Sequence, residues 1–320
     1  MTDDWAVRAS GLTKSYGDVQ VLTGLDLQVA PATVFALLGP NGAGKTTTVR
    51  ILSTLTRADS GTAQVVGLDV VRDRAQVRRR ISLTGQYAAV DMLQTGRENL
   101  MMMGRLTGLD RRAAKSKAVE LLDRFNLSDA AGRQVGTYSG GMKRRLDLAA
   151  SLVGNASMVF LDEPTTGLDP RSRQEMWTVI TGLVESGVTV FLTTQYLEEA
   201  DRLADRIAVV DHGQVIAEGT AAELKAQVSQ QRLDLTMTDS ATFSAAVDRL
   251  GGQVVHRDDA GRTVSTATDG SAAHIRAVLD DLDPSRTAVA HFALHSATLD
   301  DVFLTLTGKS VDSELESTNV

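Results

Sequence analysis

Eight residues, GPNGAGKT (39–46), restrict the fold of this chain more than any other stretch. They follow an apolar run, TVFALLG (33–39), that reads as a short buried strand. They open KTTTVRILSTLT, which reads as a helix. Gly39, Gly42 and Gly44 let backbone N–H groups curl around an anion, and the helix N-terminus adds the positive end of its dipole. Pro40, Asn41, Ala43 and Thr47 fill the rest of this cradle. In such a loop Lys45 reaches the β- and γ-phosphates of a nucleotide, and the Thr46 hydroxyl faces Mg²⁺. A strand, a glycine-rich turn and a helix in this order begin a phosphate-binding βα unit, so an α/β fold holding a nucleotide with Mg²⁺ is expected.

Two further apolar strands, SMVFLDE (157–163) and VTVFLTT (188–194), flank a helical stretch at 170–185. That alternation predicts a parallel sheet. MVFLDE places two carboxylates at a strand end, where the period of two sends them to opposite faces. Asp162 is the candidate on the metal side, and Glu163 the candidate general base. YSGGMKRRL (138–146) sets Ser139, Gly140 and Gly141 just before a helix, a second anion-binding start. One P-loop rarely needs two such sites, so this one is expected to serve a nucleotide held by a second copy of the chain.

Elsewhere the pattern gives organisation. Residues 1–30 read as strands broken at Gly17 and Gly24, residues 98–126 as helical, and RIAVVDHGQVIAEGT (206–220) as a hairpin turning at His212–Gly213. LEEADRLADRI reads as an amphipathic helix. Composition shifts near residues 221–232, and the reading is an ATP-binding domain over 1–225 and a small α+β domain over 226–308. The second follows a βαββαβ order, the ferredoxin-like type. It ends in TLDDVFLTLTG, where Thr298 and Asp301 are spaced as a capping box and Leu299, Val302, Phe303 and Leu306 form an apolar stripe before Gly308. The polar residues 309–320 read as a disordered tail.

Composition excludes several classes. A net charge of −7 gives no general attraction to nucleic acid, and zero cysteines exclude disulfides and thiolate metal sites. The acidic start MTDDWAVRAS lacks the apolar segment of a secretory signal, and no run approaches the ~18–20 apolar residues of a spanning helix. Any membrane contact is therefore expected through a partner. The basic runs RRRI (78–81) and KRR (143–145), and the acids Glu198, Glu199, Asp201 and Asp205, read as solvated helix faces. None of the five histidines has metal-ligand spacing.

Taken in order, these motifs resemble the nucleotide-binding subunit of an ABC transporter. GPNGAGKT is similar to its Walker A motif, VFLDE to its Walker B motif with the catalytic glutamate, and YSGGM to its LSGGQ-type signature. The resemblance adds Gln86 in LTGQYAAV as the Q-loop glutamine, on the metal and γ-phosphate, Asp169 in GLD as the D-loop residue, and Tyr16 in KSYG as the aromatic on adenine. The signature departs from the usual pattern at Tyr138 and Met142, while its Ser-Gly-Gly centre is intact. The family implies a head-to-tail homodimer, each ATP lying between Walker A of one chain and the signature of the other.

GTYSGGM, DEPTTGLDPRSR and LDDVFLTLTG narrow the likeness to the daunorubicin-resistance (DrrA-type) exporters of bacteria. That branch implies an ATPase at the cytoplasmic face of the cell membrane, powering efflux of hydrophobic drugs through a separate polytopic permease subunit. Its alternatives are export of an envelope lipid by the same machinery, or a non-transport ATPase of this class acting on ribosome or DNA. The family's switch residue is a histidine at the end of the strand VTVFLTT. Here Gln195 stands there, an amide that keeps a donor and an acceptor but carries no charge. The catalytic set is accordingly Glu163, Gln195 and Lys45. Met101, Met102 and Met103 cannot share one helix face, and the resemblance places this region where the membrane subunit docks.

Overall fold

Alternating burial along the first two strands builds the opening layer. The computed structural model describes residues 5–85, 90–154, 156–228, 231–295 and 298–307. Gln86, Gly308 and the tail therefore lie outside the described residues. The chain divides into two compact units, the second beginning at Ala222.

In the first unit, β1 (Val7–Tyr16) and β2 (Val19–Val29) form a hairpin turning at Gly17, whose φ is 58°. Gly24 does not break a strand. With φ 113° it is the extra residue of a bulge in β2, where the pairing slips between Leu12↔Leu25 and Thr13↔Thr23. The chain continues through β3 (Val34–Leu38), α1 (Lys45–Leu52), β4 (Ser60–Val65), β5 (Leu68–Asp69), α2 (Arg74–Arg80) and β6 (Ile81–Thr84). β2-β1-β4-β5 make an antiparallel sheet.

Three helices follow, α3 (Gly96–Leu106), α4 (Arg111–Arg124) and α5 (Gly140–Ser151). The stretch expected to be one helical run is thus two helices. Gly108, at φ 93°, breaks it, Asp110 caps α4 through the Ala113 N–H, and Asn126 at φ 53° lies beyond its end. Then come β7 (Met158–Asp162), α6 (Pro170–Glu185), β8 (Thr189–Thr194), α7 (Leu197–Leu203), β9 (Arg206–Asp211) and β10 (Gln214–Gly219), after which α8 (Ala221–Val228) opens the second unit.

The second sheet runs β10-β9-β3-β8-β7-β6, parallel except for β10. β3, β7 and β8 are buried along their whole length, which is why they read as unbroken apolar runs. Phe35, Phe191 and Phe160 pack across three neighbouring strands, the first pair stacked and the second tilted with ring centroids 5.4 and 5.5 Å apart, and fill the core between the two sheets.

The second unit contains β11 (Arg232–Met237), α9 (Ser240–Leu250), β12 (Val254–Asp258), β13 (Thr263–Ala267), α10 (Ala272–Leu282), β14 (Val289–His295) and α11 (Leu299–Thr307). Its antiparallel sheet has the order β12-β13-β11-β14. Leu233, Leu235, Met237 and Val264 meet Phe243, Ala246 and Leu250 in its core. The capping box at α11 is present: Asp301 accepts from the Thr298 N–H and hydroxyl at 2.9 and 2.8 Å, and its own N–H returns to Thr298 Oγ1. Leu299, Val302 and Phe303 are covered within the single chain, whereas Leu306 is 37% exposed, so the buried stripe is one residue narrower than expected.

Candidate active site

A parallel sheet sends the carboxyl ends of its strands to one edge, and ligands of such sheets bind along that edge. Here β3 delivers the P-loop, β8 delivers Gln195, β7 delivers Asp162 and Glu163, and β6 ends one residue before Gly85. The register Leu38↔Thr194 and Asp162↔Thr193 keeps these ends level.

The P-loop has the strained geometry its glycines permit. Gly42 and Gly44 have φ of 81° and 102°, and a Cβ on Gly39 would lie 2.3 Å from the Val210 carbonyl oxygen. Lys45 Nζ donates to the carbonyls of Gly39 and Pro40 at 2.7 and 2.9 Å, folding over the loop it belongs to. Thr46 Oγ1 donates to Asp162 Oδ1 at 3.2 Å, so the first turn of α1 touches the end of β7. Thr193 Oγ1 donates to the same Asp162 oxygen at 2.6 Å, and Asp162 is buried.

Glu163 parts from Asp162 for a different reason than strand alternation. β7 ends at Asp162, and Glu163 takes a left-handed backbone at φ 49°, a conformation costly for a residue with a Cβ. Its N–H donates to the Thr193 carbonyl at 3.1 Å and hydroxyl at 3.2 Å, and its Oε2 accepts from the Thr166 hydroxyl at 3.2 Å. Gln195 is half-buried in the turn between β8 and α7. Tyr16 is 47% exposed at the end of β1, with Lys14 Nζ 5.5 Å from its ring centroid.

Ser139 is the N-cap of α5, accepting from the Met142 N–H at 3.2 Å, and Gly140 and Gly141 form the first turn rather than preceding it. Tyr138, in place of the usual leucine, is anchored by its hydroxyl, which donates to the Ala130 carbonyl at 2.7 Å; burial raises its pKa. Asp169 caps α6: its oxygens accept from the Ser172 N–H at 2.9 Å and hydroxyl at 2.7 Å, which holds its pKa down.

Two surface readings are corrected. In KRR only Lys143 is partly exposed; Arg144 and Arg145 are buried, because α5 lies against β6 and α6. Arg145 pairs with Glu175, and Arg144 donates to backbone carbonyls around Glu163. Glu199 in α7 is fully buried, accepting from Trp177 Nε1 at 3.3 Å, and burial raises its pKa. Among the described residues, no group of histidines and acids could hold a metal by itself, and no helix is long and apolar enough to cross a membrane.

Sheet, P-loop, paired carboxylates and glycine-bearing helix start together define a P-loop nucleotide-binding cassette. Comparison with known proteins agrees. A family model described as ABC transporter matches residues 22–166, and one described as the C-terminal domain of DrrA1-3-like ATP-binding proteins matches 219–307. The chain is 51% identical to the daunorubicin/doxorubicin resistance ATP-binding protein DrrA of Streptomyces peucetius, covering 96% of this chain and 94% of that one. It is 46% identical to the doxorubicin resistance ATP-binding protein DrrA of Mycobacterium tuberculosis, covering 97% and 96%. The Nod factor export ATP-binding protein I of Burkholderia lata is 38% identical over 93% and 95%. Among solved structures, a dimeric post-hydrolysis ATP-binding cassette with ADP and phosphate superposes with TM-score 0.60 at 24% identity, over 67% of this chain and 98% of that one. This chain belongs to the DrrA-type ATP-binding proteins of ABC transporters, a family of ATPases.

Proposed function

We propose that this chain powers efflux of hydrophobic, drug-like molecules through a separate membrane subunit, working as a homodimer at the cytoplasmic face of the membrane. The observation that carries the catalytic part is the contact between Thr46 and Asp162, which joins the two nucleotide motifs across the sheet edge. Their oxygens, 3.2 Å apart, lie close to the spacing of about 3.0 Å between neighbouring oxygens around a Mg²⁺ ion bound at about 2.1 Å. Thr46 and Asp162, with Gln86, would hold the ion, which when bound neutralises charge on the phosphates. Lys45 moves from the loop carbonyls to the β- and γ-phosphates, and Gly39–Thr47 wrap them with backbone N–H groups. Tyr16 stacks on adenine. Glu163 takes the proton of the attacking water, and Gln195 orients that water through its amide. Ser139 with the Gly140 and Gly141 N–H groups completes the site from the second copy, beside its Asp169.

The membrane subunit is expected on the first unit at a cavity of about 740 Å³ walled by Ile81, Leu83, Met103 and Leu109, with Arg78 and Asp147 at its polar side. All three methionines are half-buried, and Met103 is the one that lines this cavity. Relatives named for drug resistance are the more similar, and those named for Nod factor export show that the family serves more than one cargo. Cargo choice is therefore assigned to the membrane subunit.

The test is co-expression with the membrane protein it co-purifies with, measuring ATP hydrolysis and doxorubicin efflux from cells. Glu163→Gln should keep ATP binding and lose turnover by about 10²–10⁴-fold. Native turnover in that variant removes Glu163 as the base; hydrolysis without doxorubicin efflux removes the cargo assignment.

A further inference from the structure

Arg144 is the least expected side chain near the site. It lies on α5, five residues past Ser139, and is 9% exposed. Its Nε donates to the Pro164 carbonyl at 3.1 Å, and its Nη2 to the carbonyls of Asp162 and Glu163 at 3.2 and 3.3 Å. Its Nη1 donates to the carbonyl of Gly85 at the end of β6. One guanidinium thus gathers three consecutive carbonyls of the turn that bears Glu163, and ties them to the neighbouring strand. Burial works against its charge, while Asp147, Asp162 and Glu199 act to keep it.

Glu163 needs such a clamp. Its left-handed backbone persists only where the surroundings over-determine it. On one side its N–H is held by Thr193 of β8; on the other its carbonyl is held by Arg144. Lysine could not replace this grip, because an ammonium is a point donor and does not offer the planar fork that reaches four carbonyls.

We propose that Arg144 is a positioning residue for Glu163: it holds the 162–164 turn so that the carboxylate is aimed for hydrolysis, without itself touching nucleotide. The inference rests on Glu163 being the base. It implies that Arg144 variants lose turnover at nearly constant ATP affinity. A misplacement near 1 Å costs about 10²-fold, so Arg144→Ala should lower kcat about 100-fold and Arg144→Lys about 10-fold, with KM for ATP within about 3-fold of the parent.

The experiment is steady-state ATP hydrolysis by the full chain, parallel nucleotide-binding titration, and addition of millimolar methylguanidine to Arg144→Ala. The expected results are the kcat loss, the unchanged KM and binding, and partial recovery of kcat by methylguanidine in Arg144→Ala alone. On a Glu163→Gln background, Arg144→Lys should have little further effect on residual turnover. Native-like kcat in both Arg144 variants, or a fall of ATP affinity in step with kcat with no guanidine rescue, overturns the proposal. If Arg144→Ala does not fold, Arg144→Lys and Arg144→Gln carry the same comparison of kcat with KM. The two readings fail separately: a fully active Glu163→Gln removes the base, whereas an inactive Glu163→Gln beside native-like Arg144 variants removes the clamp alone.

Discussion

Gly141→Ala should destabilise the first unit although alanine is the better helix former. In the open, glycine to alanine inside a helix gains about 1 kcal/mol. At this position a Cβ would lie 2.4 Å from Ser172 Oγ and 2.6 Å from Ser172 Cβ. Carbon atoms in contact prefer about 3.5–4.0 Å, so one of the two helices must shift by about 1 Å. Overpacking of that kind costs about 1–3 kcal/mol. Ser172 is also the residue that satisfies the Asp169 cap, through its N–H at 2.9 Å and its hydroxyl at 2.7 Å. Moving it weakens a cap worth about 1 kcal/mol. The net expectation is a loss of about 1–3 kcal/mol, or about 3–10 °C in Tm. Removing the obstacle should reverse much of this: on a Ser172→Gly background, Gly141→Ala should be close to neutral, giving a coupling of about 1–3 kcal/mol. Thermal and urea melts of the parent, both single variants and the double variant measure it. A Gly141→Ala variant at or above the parental Tm, or effects of the two substitutions that add within about 0.5 kcal/mol, refutes the packing argument.

Substitutions at two other residues probe α7 and the turn that leads into it. Burial holds the Glu199 pKa above the usual glutamate range, so the folded chain binds its proton more tightly than the unfolded chain does. Stability contributed by this group therefore falls as pH rises from about 4.5 through the raised pKa, and Glu199→Gln removes that loss. The variant should match the parent near pH 4 and become the more stable of the two as pH rises toward 8; melts showing no pH-dependent difference would contradict the assignment. Gln195→Ala should lower turnover about 10-fold with ATP binding kept, and Gln195→His should restore activity while adding an inflection near pH 6–7 that the parent lacks. Unchanged hydrolysis in the alanine variant makes Gln195 a bystander.

The parts of this molecule that sequence made legible are those where chemistry and local backbone need coincide. GPNGAGKT can be read because Gly42 and Gly44 must adopt positive φ there, and VFLDE because a strand buried on both faces leaves an unbroken apolar run. The turn at His212–Gly213 was equally plain, both residues having positive φ of 45° and 77°. What sequence could not give are facts decided by distant partners. Arg144 and Glu199 look like surface charges, because nothing local shows that α5 meets the 162–164 turn or that Trp177 lies over α7. The left-handed backbone of Glu163 is likewise set by Thr193 and Arg144, 30 and 19 residues away. A signal did exist for Glu199: in LEEADRL it falls two residues from Leu197 and next to Ala200, both buried, within a single helical turn. The Asp169 cap was legible too, since Asp before Pro170 is a helix-start signature.

The placement of Arg144 also bears on how two copies of such a chain could keep step. Ser139 and Arg144 lie on one helix, and at 1.5 Å rise per residue their backbones are about 7.5 Å apart along its axis. The N-terminal turn of α5 faces the role proposed for it in a partner's site, while the side chain one and a half turns later grips the base of its own site. α5 packs through Gly141 onto Ser172, the residue that satisfies the Asp169 cap. On the proposed head-to-tail pairing, a second copy's nucleotide at Ser139 would bear on the same helix that holds the Glu163 turn. Gly141 belongs to the same arrangement: its lack of a side chain leaves room for Ser172 on α6, on the helix that also carries Arg144 to the turn beyond β7.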